Sequence, residues 1–354
     1  MRKILFSVFE KSADFYAARL IPYLADSFVV TGYGGPEMEE KCRRITNQIQ
    51  KSSVMGISGL FLRMPYFVHL LMKLRRKIER SEGVILVDFA GLNLRLLSYA
   101  AERGKKAVYL IPPKFWAWSP ERSVLLKKCS AVFPLFPFEH EQLCSTGVPS
   151  FYFGHPLYEE LRTTARRTPV PGRIGIFPGS RPDEIEYTLP VILEALSGTG
   201  GEFLLFLADS SDEFSRRINR IISRTDLPLQ FVSPLSKYEK MGTLEKAVAC
   251  SGTVALELSY YSIPTVVVYR TTWLSYQYFK DRIRLKHYSL PNILAGGEVY
   301  PELIQSGFNA RTLKDRLTDM PPGKQIDSEC SKIWDTLKGE NISQRIAEKM
   351  IEVL

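Results

Sequence analysis

Short apolar runs rich in β-formers alternate along this chain with stretches of helical period. In the first half the strand-like runs are Ile4–Val8, Phe28–Thr31, Val84–Asp88, Ala107–Ile111, Ala131–Phe133 and Phe151–Phe153, with helical patterns at Tyr16–Leu24 and Leu92–Arg103 between them. Alternation of strand and helix predicts parallel strands joined by crossover helices. Arg162–Pro171 then breaks the pattern: it is rich in Thr, Arg and Pro, has no apolar period, and reads as a linker. The alternation restarts at Ile174–Phe177 and continues through Phe203–Ala208, Gln230–Val232, Ala247–Cys250 and Thr265–Tyr269. The tail spaces Ile342, Ile346, Met350 and Leu354 as one helical stripe that must dock on a core. The expected architecture is two doubly wound α/β units joined near residues 157–172. Ligands of such sheets bind outside the C-terminal strand ends, in a cleft between the two units.

Length agrees, since 354 residues exceed one ordinary core and fit two domains. With 45% hydrophobic and 24% charged residues, the composition is that of a globular protein rather than a disordered or collagen-like chain. Glu10, Lys11 and Asp14 cut the first apolar run short of a signal-peptide core. No uncharged run approaches the ~18–20 residues a bilayer span requires. The expectation is a cytosolic protein, or one held at a membrane surface. Five scattered cysteines without a CxxC argue against a disulfide scaffold. Four histidines without HExxH or a Cys/His cluster give no support for zinc.

Charge adds a location. The net charge is +9, and residues 57–128 alone carry 14 Lys and Arg against 5 Asp and Glu, an excess equal to that of the whole chain. Within this region Ser58–Arg80 interleaves Leu60, Phe61, Met64, Phe67, Val68, Leu71 and Met72 with Arg63, Lys73, Arg75, Arg76 and Lys77. That pattern suits either an amphipathic helix on anionic lipid or a core helix with a solvated basic face. Trp273–His287 is a second basic and aromatic stretch. Nucleic acid ranks below lipid as the anionic partner, because no RRM, KH or zinc-finger signature occurs.

Candidate chemistry lies just after strands. Pro178-Gly179-Ser180-Arg181 is a tight turn that offers backbone N–H groups and a guanidinium to phosphate oxygens, or else a plain Pro-Gly turn with a surface arginine. Ser251-Gly252-Thr253 follows another strand, and Glu257 lies one helical turn on, where a carboxylate could take ribose hydroxyls. The plainer reading is an N-cap and a surface glutamate. Asp88 ends a strand and is either a general base or a loop carboxylate. His155, in Gly154-His155-Pro156, either binds a ligand or braces the junction. Glu10, Ser12 and Asp14 follow the first strand, on the ligand side.

One ordered set of motifs is more specific. Ser53-Val54-Met55-Gly56, Trp116-Ala117-Trp118, Pro137-Phe138-Glu139, Gly154-His155-Pro156, Pro178-Gly179-Ser180-Arg181, Ser251-Gly252-Thr253 with Glu257, and Ser289-Leu290-Pro291-Asn292-Ile293-Leu294-Ala295-Gly296 together closely resemble the lipid-A-disaccharide synthase family, from about Ile4 to Gln305. The resemblance implies a GT-B fold: two Rossmann-like domains facing a central cleft, with a C-terminal helix crossing back to the first. The domains would be an acceptor and membrane-facing domain (1–157), a UDP-sugar domain (158–340) and the returning helix (341–354). It implies an inverting transferase of lipid A biosynthesis, the lipopolysaccharide route of Gram-negative envelopes, using no metal or cofactor. Such an enzyme joins UDP-2,3-diacylglucosamine to 2,3-diacylglucosamine 1-phosphate at the inner face of the cytoplasmic membrane, with a homodimer left open. By motif, Asp88, Arg181 and Asn292 match the family's essential residues. Glu10, Ser12, Met55, His155, Gly179, Ser180, Ser251, Gly252, Thr253 and Glu257 fall in its substrate-binding segments.

The chain also departs from the family pattern. The usual Gly-Glu-x-Ser-Gly-Asp is Phe9-Glu10-Lys11-Ser12-Ala13-Asp14, the usual Ala-Pro-Asp-Phe-Asn is Phe89-Ala90-Gly91-Leu92-Asn93, and Pro112 replaces a serine. Lost glycines imply a reshaped acceptor pocket. The alternatives are another UDP-sugar GT-B enzyme, such as a UDP-N-acetylglucosamine 2-epimerase, and a non-catalytic nucleotide- or lipid-binding relative.

Overall fold

A computed structural model describes residues 2–49, 64–165, 168–207, 212–272, 276–277 and 285–354. Its strands form two parallel sheets. β1 (Arg2–Val8), β2 (Phe28–Gly34), β3 (Ile45–Asn47), β4 (Gly83–Val87), β5 (Lys106–Leu110) and β6 (Ala131–Phe133) assemble in the order β3-β2-β1-β4-β5-β6. β7 (Arg173–Phe177), β8 (Glu202–Phe206), β9 (Leu229–Val232), β10 (Lys246–Cys250), β11 (Thr265–Tyr269) and β12 (Glu302–Ile304) assemble in the order β12-β11-β10-β7-β8-β9. Central strands such as β4 are buried along their whole length. That is why they read as unbroken apolar runs and not as alternation: helices cover both faces.

The differences from the sequence pattern lie at the edges. β3 and β12 have no counterpart among the predicted strands, because these three-residue edge strands, Ile-Thr-Asn and Glu-Leu-Ile, are not apolar runs as the equally short β6 is. Phe151–Phe153 is not a strand. It approaches β6 through a single bridge between Val132 and Ser150, and the Phe151 N–H donates to the Val132 carbonyl at 2.9 Å. Its rings still pack, with Phe151 and Phe153 6.0 and 6.4 Å from Phe133.

The chain divides into two compact units, Met1–Glu159 with Leu337–Leu354, and Glu160–Thr336. In the first, the tail helix Ile342–Val353 packs on the helix Lys11–Leu24, burying Ile342, Ile346, Met350 and Leu354. The Glu159 carboxylate accepts the Ser343 N–H at 3.2 Å near that helix's start.

Each sheet has one point where the strand order reverses. In the first unit β1 neighbours both β2 and β4, with Val8 beside Val87. In the second β7 neighbours both β8 and β10, with Phe177 beside Ala249. Crossovers leave in opposite directions at these points, so a crevice opens beyond the strand ends.

Candidate active site

The two phosphate-suited loops of the second unit meet at its reversal point. After β7, Gly179 adopts φ +113°, which L residues rarely take. A Cβ there would lie 2.9 Å from Glu184 Oε2 and 3.5 Å from Cys250 Cβ, so the loop after β7 touches the end of β10. Arg181 is the N-cap of the helix Pro182–Leu196, and Glu184 occupies its third position. The buried Glu184 accepts the Ser180 N–H at 3.3 Å and an Arg181 guanidinium N–H at 3.0 Å. Buried Thr188 donates its hydroxyl to the Pro178 carbonyl at 2.7 Å. The turn is thus held from inside, while the Arg181 side chain stays 43% exposed.

Across the reversal point, the Ser251 N–H donates to the Val268 carbonyl at 3.0 Å and its hydroxyl to the Tyr288 carbonyl at 2.9 Å. Gly252 is exposed at the N-cap of the helix Thr253–Tyr260, and a Cβ added to it would meet no atom nearer than 4.0 Å. Glu257 is 6% exposed and ion-paired with Lys237. The carboxylate thus lies on the packed face of the helix with a lysine partner, and not on open helix surface.

Asn292, matched by motif to an essential residue, lies inside the second unit. It is fully buried. Its Nδ2 donates to the Tyr300 carbonyl (2.8 Å) and to Glu302 Oε1 (2.9 Å), and its Oδ1 accepts from the Val299 and Tyr300 N–H groups (both 2.9 Å). These four bonds use the full capacity of an amide side chain. Glu302 also accepts the Tyr288 and Ser289 N–H groups, at 3.0 and 2.7 Å. Asn292 and Glu302 together knit 288–302 to β12, and Tyr288 ties that segment to Ser251.

In the first unit Asp88 leaves β4 beside the end of β1. It is half-buried, and its Oδ1 accepts the Phe89 N–H at 2.8 Å. Asp88 and Phe89 both have positive φ, 49° and 45°. Glu10 is the N-cap of the helix Lys11–Leu24, and Ser12 is exposed in its first turn. Asp14 is buried and does other work: its carboxylate accepts the N–H groups of Gly35 (2.7 Å), Glu37 (2.9 Å) and Met38 (3.3 Å), satisfying the start of the helix Pro36–Lys41. Burial raises its pKa, and those three bonds oppose the rise. Phe9 and Ala13, at the lost glycines, do not have positive φ and are buried. The Phe9 ring meets Phe89 at 5.6 Å and Tyr33 at 6.2 Å. Two of the departures from the motif pattern therefore contact each other.

The family model for lipid-A-disaccharide synthetase matches residues 4–346. The chain belongs to the lipid-A-disaccharide synthase family. It is 29% identical to the lipid-A-disaccharide synthase of Geobacter sulfurreducens, over 99% of this chain and 97% of that protein. It is 31% identical to that of Anaeromyxobacter sp. (strain K), with the same coverage. As a member of this family it is a glycosyltransferase, a hexosyltransferase of lipid A disaccharide synthesis.

Solved structures show the fold of this synthase-family chain. UDP-GlcNAc 2-epimerase from Neisseria meningitidis, bound to UDP-GlcNAc, has TM-score 0.62 at 12% identity, covering 99% of this chain and all of that one. Acinetobacter baumannii MurG has TM-score 0.57 at 13% identity, covering 100% of both. Together with the two six-stranded parallel sheets, these likenesses make the fold GT-B.

Several motif residues are buried and hydrogen-bonded. Trp116 Nε1 donates to Glu139 Oε1 at 2.7 Å, and Glu139 Oε2 accepts the Leu135 and Phe136 N–H groups at 3.2 Å. Burial raises the pKa of Glu139. His155 is 1% exposed, 5.4 Å from Phe136 and 5.7 Å from Tyr16. Its Nδ1 accepts the Leu157 N–H at 3.2 Å, and its backbone N–H donates to the Leu337 carbonyl at 2.8 Å. Aromatic rings of the first unit close the imidazole off. Burial lowers its pKa to about 3. Met55, and most of Trp273–His287, lie outside the described residues. The sequence marks Glu184 only as an acid in the first turn of its helix, and does not mark Glu302. Glu184 had a further signal, the third position after an N-cap. Glu302, on a three-residue edge strand, had none.

Proposed function

We propose that the chain condenses UDP-2,3-diacylglucosamine with 2,3-diacylglucosamine 1-phosphate, giving the β-1,6 disaccharide 1-phosphate and UDP. The observation that carries this reading is the near-full-length family match, in a chain whose Asp88, Arg181 and Ser251 follow strands at the reversal points of the two sheets. In this reading the first unit holds the acceptor and the second the UDP-sugar.

Asp88 accepts the proton of the acceptor's 6-hydroxyl. That oxygen bonds to the anomeric carbon from the face opposite the leaving group, inverting it. The bond from the anomeric carbon to the diphosphate oxygen breaks, and its electron pair leaves with UDP. Arg181 and the N–H groups of Gly252 and Thr253, at the start of the helix Thr253–Tyr260, offset the charge that develops there. Glu10 and Ser12 belong to the acceptor side. Asn292 acts from within, through the segment it holds. General-base help is typically worth about 10²–10⁴ in rate. Asp88→Asn should lower turnover and leave UDP affinity nearly intact, and Arg181→Ala should weaken UDP binding in calorimetry. Mass spectrometry of products from the acylated donor and acceptor tests the whole reading. Turnover of soluble UDP-N-acetylglucosamine in place of the disaccharide product would replace it.

Among the described residues no helix is long and apolar enough to cross a membrane. The reading places the chain at the inner face of the cytoplasmic membrane as a peripheral protein, on anionic lipid. The support is the helix Met64–Glu79, which exposes Val68 and Met72 (both 48%) beside exposed Lys73 and Arg76 while burying Leu70, Leu74 and Ile78. Vesicle co-sedimentation should rise with phosphatidylglycerol content and fall with salt. Binding indifferent to both would remove the lipid surface from the proposal.

A further inference from the structure

Polar side chains inside a parallel sheet are costly unless they are used. Around the end of β4 three of them converge on one turn. Asn93 is fully buried in the helix Ala90–Glu102. Its Nδ2 lies 2.9 Å from the Asp88 carbonyl, 3.0 Å from that of Val87 and 3.3 Å from that of Ser7. Its Oδ1 accepts the hydroxyl of buried Ser7 at 2.7 Å. Tyr109, fully buried on β5, donates its hydroxyl to the Asp88 carbonyl at 2.7 Å. The Asp88 N–H donates to the Leu110 carbonyl at 3.1 Å. What these groups hold is two consecutive non-glycine residues, Asp88 and Phe89, in the left-handed region. Such backbone persists only where its surroundings over-determine it.

We propose that Tyr109 and Asn93 are positioning residues: by clamping the Asp88 carbonyl they hold the left-handed turn that aims the Asp88 carboxylate at the acceptor hydroxyl. The inference rests on the reading of Asp88 as general base. Ser7 completes the clamp by orienting the Asn93 amide, so that β1, β5 and the helix Ala90–Glu102 all fix one carbonyl group. Burial raises the Tyr109 pKa well above the usual phenol range, so its hydroxyl stays a donor at working pH.

The test is steady-state kinetics of the full chain with acylated donor and acceptor, on Tyr109→Phe, Asp88→Asn and the double variant. Tyr109→Phe keeps the buried ring and removes the hydroxyl that bonds the Asp88 carbonyl. It should lower kcat about tenfold, with KM values and UDP affinity within about twofold of wild type. In the Asp88→Asn background the same change should cost nothing further, because the carboxylate it aims is gone. A folded Tyr109→Phe enzyme with wild-type kcat overturns the inference. So does a tenfold loss that persists in the Asp88→Asn background, which would mean that Tyr109 acts on something else. Normal turnover by Asp88→Asn alone would instead sink the general-base reading. Asn93→Ala, checked by thermal melting, should reproduce the kcat loss, and Tyr109→Phe carries the test if Asn93→Ala does not fold.

Discussion

The Arg181 guanidinium and the Glu184 carboxylate pair at 3.0 Å across the first turn of the helix Pro182–Leu196, the arginine 43% exposed and the glutamate side chain 9%. The same carboxylate accepts the Ser180 N–H. It therefore takes the two kinds of donor, backbone N–H and guanidinium, that the functional reading assigns to a diphosphate.

Two substitutions separate the roles of Glu184. Glu184→Gln keeps an acceptor for Ser180 and removes the charge that competes for Arg181. A half-exposed ion pair is worth up to about 1 kcal/mol, so UDP should bind up to roughly fivefold tighter by calorimetry. Glu184→Ala removes the turn's internal support as well, and UDP should bind more weakly than to wild type. Weaker binding by Glu184→Gln would count against competition.

Asn292 and Glu302 should behave as a unit. Asn292→Ala strands the Val299 and Tyr300 N–H groups and one bond of Glu302. Leaving buried partners unsatisfied costs about 1–3 kcal/mol each, so the melting temperature should fall by several degrees. Glu302→Ala should lower it too, and the double variant should lose less than the summed single losses. Full additivity would show that the two act independently.

His155 makes stability depend on pH with a definite sign. Its folded pKa, about 3, lies below the ordinary value of 6.5. The unfolded chain therefore binds a proton that the folded chain refuses. Stability from this group is present above pH 6.5 and is lost as pH falls toward 3, about 2 kcal/mol of it by pH 5. Asp14 and Glu139, whose carboxyl pKa values are raised by burial, titrate with the opposite sign. The measurement is accordingly a difference: urea unfolding at pH 7 and pH 5 for wild type and His155→Phe. The wild type should lose more than the variant, and equal losses would contradict a neutral buried imidazole.

Phe9 fills space that the motif's usual glycine would leave empty. It is 1% exposed and packs on Phe89 and Tyr33. Phe9→Ala should cost about 3–5 kcal/mol in chemical denaturation. Phe89→Ala, at a half-buried position, should cost less. If Phe9→Ala is nearly neutral, the contact is not part of the core.

The glycine-containing turns were legible because their signals are local. A strand, a tight turn and a helix start lie within eight residues at Ile174–Arg181, and Gly179 takes the positive φ such a turn requires. The surroundings of His155, Glu257 and Asn292 were not legible. All three are polar residues in motif segments, and their burial and partners come from distant positions. Lys237, which engages Glu257, is twenty positions away and on another helix. The chain that links Asn292 to Ser251 runs through Glu302 and Tyr288.

Order along the chain was enough to set the alternation of strand and helix, the doubly wound class, the family and the loops where chemistry belongs, because each depends on residues close in sequence or on motifs read in sequence. Tertiary structure alone decided which strands neighbour each other, and hence that the loops after β1 and β4, and after β7 and β10, share reversal points. It also decided which polar side chains are spent inside. Burial and hydrogen-bond saturation depend on groups brought together from distant positions, and no local pattern encodes them.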